Sequence, residues 1–218
     1  MKSAGNDIVA LNAIDIQRTV SPAFYSKFII PEELELYGQP QFAPVPFQNF
    51  VWLLWSVKES AYKYLQRHQA DLIFSPAKFI IQNVTVPKEK IIAQTTVWES
   101  DTVDEQFYTG EVTFGTHQLY FRSKCTPQFI ASVVNDEPGF DGVYWGVSAI
   151  EQPDHENQSK QVRGFLLTKL ISVLSADDLY IGKSPSGYPI IIHGEKQSGV
   201  LVSLAHHDRF VAYSFFKA

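Results

Sequence analysis

The stretch from Val51 to Leu65, VWLLWSVKESAYKYL, constrains the fold more than any other part of the chain. Its apolar residues recur at intervals of three and four positions, which is the spacing of one face of an amphipathic helix. The stretch therefore predicts a helix packed on the protein core. The residues on the predicted apolar face are Val51, Leu54, Trp55, Ala61, Tyr62 and Leu65.

Charged residues lie at the border of this apolar face. Glu59 follows Trp55 by one helical turn, and Lys58 and Lys63 flank it. Glu59 and Lys63 form an ordinary i, i+4 pair, which stabilises a helix by about 0.2–0.5 kcal/mol. A bound anion, or a metal with its anion, would also explain why cations crowd an aromatic face where desolvation is costly. The sequence allows both interpretations.

Composition limits the classes of protein to which this chain can belong. Its 218 residues, 45% of them apolar, suffice for one large domain or two modules. The net charge of −5 gives no support for binding nucleic acid or an anionic membrane. The N-terminus lacks the unbroken apolar core of a signal peptide, and no run is long enough to span a membrane. A single cysteine, Cys125, suits a reducing compartment, so we expect a cytoplasmic protein in which Cys125 is a packed strand residue.

The order of elements predicts an α+β fold. A short strand begins at Ile8 directly after Asp7, and helices begin near Pro22 and Pro31. A run of antiparallel strands follows the central helix, then a linker over Asn135 to Gly142. A second helix from about Ser159 precedes further strands. The predicted strands after the central helix cover residues 79–81, 91–98, 106–114, 118–122, 129–134, 179–181, 189–192, 200–204 and 210–216.

Motif spacing removes several familiar chemistries. The chain has no nucleophile elbow, no phosphate-binding Gly-rich loop, no dinucleotide fingerprint and no CxxC pair. His155-Glu156 lacks the second histidine that a zinc-binding helix requires. These absences remove the usual support for a hydrolase, a P-loop enzyme or a structural zinc site.

Four local features remain, and together they suggest phosphoryl-group chemistry on a nucleotide-like substrate. Two carboxylates without a third protein ligand suit Mg²⁺, which keeps several waters and is shared with substrate phosphates. Lysine and histidine side chains suit phosphate oxygens. The four features are Asp7 at a strand mouth, the helix carrying Lys58, Glu59 and Lys63, the Gly187 to Pro189 loop, and His206 at a strand end.

The residues of these motifs, and their order along the chain, resemble the motifs of the 4′-phosphopantetheinyl transferase superfamily. Gly5-Asn6-Asp7-Ile8 resembles the family's Gly-x-Asp-Ile strand. Trp55, followed by Lys58-Glu59-Ser60 and Lys63, matches its Trp-x-x-Lys-Glu-Ser motif and the lysine four residues after the glutamate. Gly187-Tyr188-Pro189 resembles the Gly-Lys-Pro loop, and Ser203-Leu204-Ala205-His206 resembles the Ser-x-Ser-His strand end. Two residues depart from the pattern: Tyr188 replaces a lysine and Ala205 replaces a serine.

The resemblance implies a transferase that moves 4′-phosphopantetheine from coenzyme A to a serine of an apo acyl or peptidyl carrier protein, as a holo-acyl-carrier-protein synthase does. Asp7 and Glu59 would hold Mg²⁺ on the pyrophosphate, and Glu59 or Lys63 would help to deprotonate the serine. Coenzyme A is then a co-substrate, and the carrier belongs to fatty acid biosynthesis or a related pathway. The implied coenzyme A contacts are Lys58, Arg163, Lys183, Gly187, Pro189, Ser203 and His206, with Lys183 in place of the missing loop lysine.

The resemblance also implies two modules of helix plus antiparallel sheet that form a pseudo-dimer within a monomer. Residues 1–136 resemble the Asp/Lys-Glu metal-binding module, and residues 137–218 resemble the His/Gly-x-Pro coenzyme A-binding module. Their order is reversed relative to the fused two-module type. Two alternatives remain: a non-catalytic member that binds coenzyme A or a carrier protein, and an unrelated Mg²⁺-dependent nucleotide enzyme.

Overall fold

The computed structural model describes residues 3–88, 97–100, 106–184 and 187–217. The first half begins with a strand, continues through short helices into one long helix, and ends in strands. Two short 3₁₀ helices, Pro40–Phe42 and Pro76–Lys78, flank the long helix. The elements are β1 (Gly5–Ala10), α1 (Ile16–Thr19), α2 (Pro22–Tyr25), α3 (Pro31–Tyr37), α4 (Phe47–Gln66), β2 (Ile80–Thr85), β3 (Val97–Glu99), β4 (Tyr108–Phe114), β5 (His117–Cys125) and β6 (Phe129–Asn135).

The second half also begins with a strand, followed by a long helix and four strands. Asp154 caps this helix by accepting a hydrogen bond from the Asn157 backbone N–H, and Ser175 ends it in the left-handed conformation. No helix in the described ranges is long and apolar enough to cross a membrane. The elements are β7 (Val143–Ala149), α5 (His155–Leu174), β8 (Leu179–Lys183), β9 (Pro189–His193), β10 (Lys196–His207) and β11 (Phe210–Phe216).

The strands form two antiparallel sheets with matching connectivity. The first sheet has the order β1-β6-β5-β4-β2, and the second has the order β3-β7-β11-β10-β9-β8. Apart from β3, the two sheets are built alike. The first strand of each sheet precedes the long helix of its half of the chain and pairs with the last strand of that half. The short strand β3 comes from the first half of the chain but pairs with β7 of the second sheet. The predicted α+β class is confirmed.

Three apolar clusters stack the elements in layers. One cluster lies between α4 and the first sheet, and another lies between α5 and the second sheet. A third cluster lies between the two sheets, where Ile8 and Ala10 of β1 meet Ala205 of β10 and Ala212 of β11. Because successive strand residues point to opposite faces, Asp7 faces α4 while its neighbour Ile8 faces the second sheet.

The central helix is confirmed and begins four residues earlier than its apolar pattern indicated. The second helix also begins earlier, at His155, because Asp154 caps it. The sequence pattern predicts no element over residues 143–149, between the linker that ends at Gly142 and the second helix, where the structure has strand β7. Most of the strand predicted over residues 91–98 lies outside the described residues.

Gly5 lets β1 approach α4 closely. A Cβ atom at this position would lie 2.1 Å from the Ser60 carbonyl oxygen and 2.6 Å from the Tyr64 backbone nitrogen. Only glycine fits against the helix at this distance. This close contact places the residue two positions later, Asp7, beside the charged face of α4.

Candidate active site at the junction of the two sheets

The centre of the candidate site is an ion-paired triad of Asp7, Lys63 and Glu59. The Lys63 ammonium lies 3.1 Å from Asp7 Oδ1 and 3.2 Å from Glu59 Oε1. Strand β1 supplies Asp7, and adjacent turns of α4 supply Glu59 and Lys63. The structure therefore brings Asp7 together with Glu59 and Lys63, which lie more than fifty positions later in the sequence.

Burial and charge make the triad electrostatically unusual. Burial raises the pKa of Asp7 to about 6, and the nearby Glu59 carboxylate adds to this, while Lys63 opposes it. Burial lowers the pKa of Lys63, but Asp7 and Glu59 outweigh it, so the net shift is upward. Lys63 therefore keeps its proton when both carboxylates are ionised.

The donor set at the triad fits a hard divalent cation. Asp7 Oδ2 is buried and has no hydrogen-bond partner within the described ranges, so this oxygen is available for a ligand. Two carboxylates with room for water and substrate oxygens match the coordination of Mg²⁺. No group of three or more His, Cys, Asp or Glu side chains is placed to hold a metal ion in the described part of the chain. Asp7 and Glu59 are the two carboxylates of the triad that could contribute to a metal site.

Lys58 has a different position from the one predicted. Its side chain is completely buried, and Nζ donates to Glu33 Oε2 at 2.7 Å and to the Phe28 carbonyl oxygen at 2.6 Å. The Glu33 carboxylate also accepts hydrogen bonds from the backbone N–H groups of Ile30 and Ile81. Lys58 thus has no exposed atom for a phosphate, and its place is in a buried polar network that connects α3, α4 and β2.

The strand end of β10 presents two adjacent histidines to different neighbours. The Ala10 backbone N–H donates to His207 Nδ1 at 2.9 Å, so His207 ties β10 to β1. His206 points to the other face, is exposed, and lies 5.5 Å from the ring of His155. Burial lowers the pKa of His206, and the charges of His155 and Lys63 lower it further. His206 is therefore close to the triad within one chain, while His207 has a structural contact.

Ser203 also connects the two sheets. Its side chain is buried, and its Oγ accepts a hydrogen bond from the Asn6 backbone N–H at 3.3 Å. Asn6 immediately precedes Asp7, so this bond helps to fix Asp7 relative to β10. Ser203 therefore positions the site, and its hydroxyl is not exposed to a ligand in this structure.

Arg67 brings the Gly187 to Pro189 loop to the central helix. Its guanidinium lies 4.5 Å from the centre of the Tyr188 ring, and Nη2 donates to the Val202 carbonyl oxygen at 2.5 Å. Arg67 follows Lys63 by one helical turn, so the charged face of α4 extends from Glu59 through Lys63 to Arg67. The tyrosine that replaces the expected loop lysine thus stacks on a cation at the C-terminal end of α4. Sequence spacing could have revealed Arg67, whereas its contact with Tyr188 depends on tertiary structure.

The remaining predicted contacts lie further along the second sheet. Arg163 Nε donates to Ser159 Oγ, and its Nη1 donates to the Ile181 carbonyl oxygen, each at 3.4 Å. Lys183 is exposed at the end of β8 and pairs with Pro189 in the sheet register. Gly187 has φ +87°, a conformation that favours glycine. The structure gives Arg163 and Lys183 no direct contact with the triad.

An aromatic cavity of about 530 Å³ opens beside this junction. Trp52 and Trp55 of α4 form part of its wall, and His207 and Arg18 contribute polar groups. Cys125 lines a separate cavity, and burial raises the pKa of its thiol, which disfavours a nucleophilic thiolate. The candidate site therefore contains carboxylate, ammonium and imidazole groups rather than a reactive thiol.

One of the three comparisons with known proteins gave a match. No curated protein and no solved structure matches the chain. A family model described as the 4′-phosphopantetheinyl transferase superfamily matches residues 3–118, just over half of the chain, and this range includes Asp7, Glu59 and Lys63. The chain belongs to the 4′-phosphopantetheinyl transferase superfamily.

Proposed function

We propose that this protein transfers 4′-phosphopantetheine from coenzyme A to a serine of an apo acyl or peptidyl carrier protein, in a Mg²⁺-dependent reaction of the holo-acyl-carrier-protein synthase type. Membership of the superfamily supports phosphopantetheinyl transfer in general. The observation that carries the specific proposal is the meeting of Asp7, Glu59 and Lys63 in one partly buried cluster.

In the proposed site, Asp7 and Glu59 hold Mg²⁺, and Asp7 contributes the buried oxygen that has no partner in the described ranges. The bound metal would neutralise charge on the pyrophosphate of coenzyme A. The Lys63 ammonium lies between the two carboxylates and can also donate to a phosphate oxygen. His206 is the nearest exposed imidazole and would contact a coenzyme A phosphate, as would Arg163, Lys183 and the Gly187 to Pro189 loop.

The transfer step requires a base for the serine hydroxyl. The serine Oγ forms a bond to the β-phosphorus, the bond from that phosphorus to 3′,5′-ADP breaks, and the hydroxyl proton passes to a group on the protein. We assign this proton to Glu59, because the carboxylates around Lys63 keep that ammonium protonated. Lys63 then acts by stabilising negative charge on the transferred phosphoryl group.

We further propose a monomeric pseudo-dimer with the site in the junction between residues 1–136 and 137–218. The matching strand connectivity of the two sheets and the effect of Lys63 on His206 within one chain support this arrangement. Strand β3 pairs across the proposed boundary, so the two modules are interleaved. The single cysteine supports a cytoplasmic protein, and membership of the superfamily supports coenzyme A and a carrier protein as its partners.

The test is intact-protein mass spectrometry of apo carrier proteins incubated with coenzyme A, Mg²⁺ and this protein. We expect the carrier to gain one phosphopantetheinyl group, and we expect Glu59→Ala to abolish the gain. Glu156→Ala is the matched control, because Glu156 is an exposed helical carboxylate outside the triad. A panel with fatty-acid, polyketide and peptide-synthase carriers identifies the carrier class. Absence of transfer to every carrier would refute the proposal.

A second candidate is a non-catalytic member that binds coenzyme A or a carrier protein. The replacement of the loop lysine by Tyr188 and of the second motif serine by Ala205 favours it. Calorimetric binding of coenzyme A by a protein that modifies no carrier would support this alternative. The intact triad favours the catalytic proposal.

A further inference from the structure

The N-terminal turn of α5 contributes an imidazole to the edge of the candidate site. His155 is the first residue of this helix, and its ring meets the ring of His206 nearly edge to face, with 5.5 Å between the ring centres and 86° between the planes. Both side chains are exposed, so a ligand can reach them. The motif pattern gave no role to His155.

In the described ranges, neither imidazole forms an ion pair with a carboxylate or a hydrogen bond to another side chain. Lys63 adds a further cationic group close to His206. The Asp154 carboxylate accepts the Asn157 backbone N–H in the helix cap. Lys63 itself is paired with Asp7 and Glu59, whereas the two exposed imidazoles have no carboxylate partner in the described ranges, so their N–H groups can donate to an anion.

The same face of α5 continues with polar groups. Ser159 and Arg163 follow His155 at intervals of four residues, so the three side chains form one stripe along the helix. The Arg163 Nε group donates to Ser159 Oγ, which turns the guanidinium back toward the N-terminal part of the stripe. The stripe begins at the two histidines and extends away from the triad along the second sheet. A ligand with separated phosphate groups can therefore contact the triad and the histidine pair together.

We propose that His155 and His206 bind the same phosphate group of coenzyme A. This inference rests on the proposed function and adds His155 as a binding residue for that substrate. Each imidazole donates an N–H hydrogen bond to a phosphate oxygen, and the negative charge of the phosphate strengthens that bond. The phosphate is either the ribose 3′-phosphate or part of the pyrophosphate.

The test is calorimetry of the full chain with coenzyme A in the presence of Mg²⁺, comparing wild type with His155→Gln. Loss of one charge-assisted bond should weaken binding about tenfold to a hundredfold. His193→Gln is the control, because His193 is an exposed histidine that pairs with Asp178 in another region. The affinity of this variant for coenzyme A should equal that of the wild type. Titration with 3′-dephospho-coenzyme A distinguishes the two phosphates: the effect of His155→Gln vanishes if the 3′-phosphate is bound and persists if the pyrophosphate is bound.

Nitrogen-15 NMR of the imidazoles gives a direct readout of contact. Addition of coenzyme A should shift the ring signals of both His155 and His206 in the wild type. The inference is overturned if wild type binds and transfers normally while His155→Gln binds coenzyme A within twofold and the His155 signal does not move. It is also overturned if the two rings bind Zn²⁺ tightly and do not respond to coenzyme A. Absence of both coenzyme A binding and transfer in the wild type would instead refute the proposed function.

Discussion

The substitution Lys58→Met tests whether Lys58 stabilises the fold or contacts the substrate. Lys58 and Glu33 are both fully buried, and their charged atoms are 2.7 Å apart. Removal of the ammonium leaves the Glu33 carboxylate buried without its cation. Breaking such a pair typically lowers the free energy of unfolding by about 3–5 kcal/mol. For a chain of this size, that loss lowers the melting temperature by roughly 6–20 °C.

The assay is urea unfolding of the wild type and the variant, followed by calorimetry with coenzyme A under conditions in which both are folded. We expect the large loss of stability with coenzyme A affinity within twofold of wild type. Lys160→Met is the control, because Lys160 is an exposed lysine on α5 and its removal should change stability by less than about 0.5 kcal/mol.

A double variant identifies the cause of the loss. Glu33→Gln removes the negative charge but keeps one oxygen to accept a backbone hydrogen bond. The double variant Lys58→Met, Glu33→Gln should therefore lose less free energy of unfolding than the two single variants lose together. The difference should be about 1–3 kcal/mol. The reasoning is refuted if Lys58→Met loses less than about 1 kcal/mol of stability while its affinity for coenzyme A falls tenfold or more.

Three further predictions concern Asp7 and Arg67. The pKa of Asp7 is about 6 in the folded protein and 3.8 ordinarily, so the folded state binds this proton more tightly than the unfolded state does. In the absence of metal, this difference stabilises the fold by about 3 kcal/mol below pH 3.8. The stabilisation is lost as the pH rises through 6. Urea unfolding of wild type and Asp7→Asn between pH 4 and 7 should show this difference, and a pH-independent difference would contradict it. Because protons and metal compete for Asp7, calorimetric Mg²⁺ affinity should fall about tenfold per pH unit below 6, and constant affinity would contradict this. Arg67→Met removes the hydrogen bond to the Val202 carbonyl and the contact with the Tyr188 ring, so the free energy of unfolding should fall by about 2 kcal/mol. The control variant Arg18→Met, on α1, should lower the free energy of unfolding by less.

The sequence predicts local features of this protein better than its long-range pairings. The central helix follows from apolar spacing alone, and Asp7, Glu59 and Lys63 follow from motifs that the fold brings together. Lys58 occupies the same motif, yet its burial depends on Glu33, twenty-five positions earlier, and no local pattern encodes that pairing.

Strand β7 shows a second limit of local patterns. Its seven residues include Gly146 and Ser148 and follow the glycine-containing loop that ends at Gly142, so the segment resembles a connection. The strand is stable because β11 pairs along its full length and β3 pairs on its other side. Tertiary pairing outweighs weak local propensity there. The meeting of His155 with His206 likewise depends on how α5 packs against β10, and periodicity cannot supply that arrangement.

The short strand β3 limits how the two sheets can move. The chain leaves the first sheet after β2, adds residues 97–99 to the second sheet, and returns to the first at β4. The connection from β6 to β7 also joins the two sheets. The ring centres of Trp98 in β3 and Trp145 in β7 lie 4.5 Å apart. A hinge motion that separated the sheets would have to expose the apolar cluster between them, which includes Trp98 and Trp145. Burial of this cluster therefore opposes separation of the two sheets at their junction.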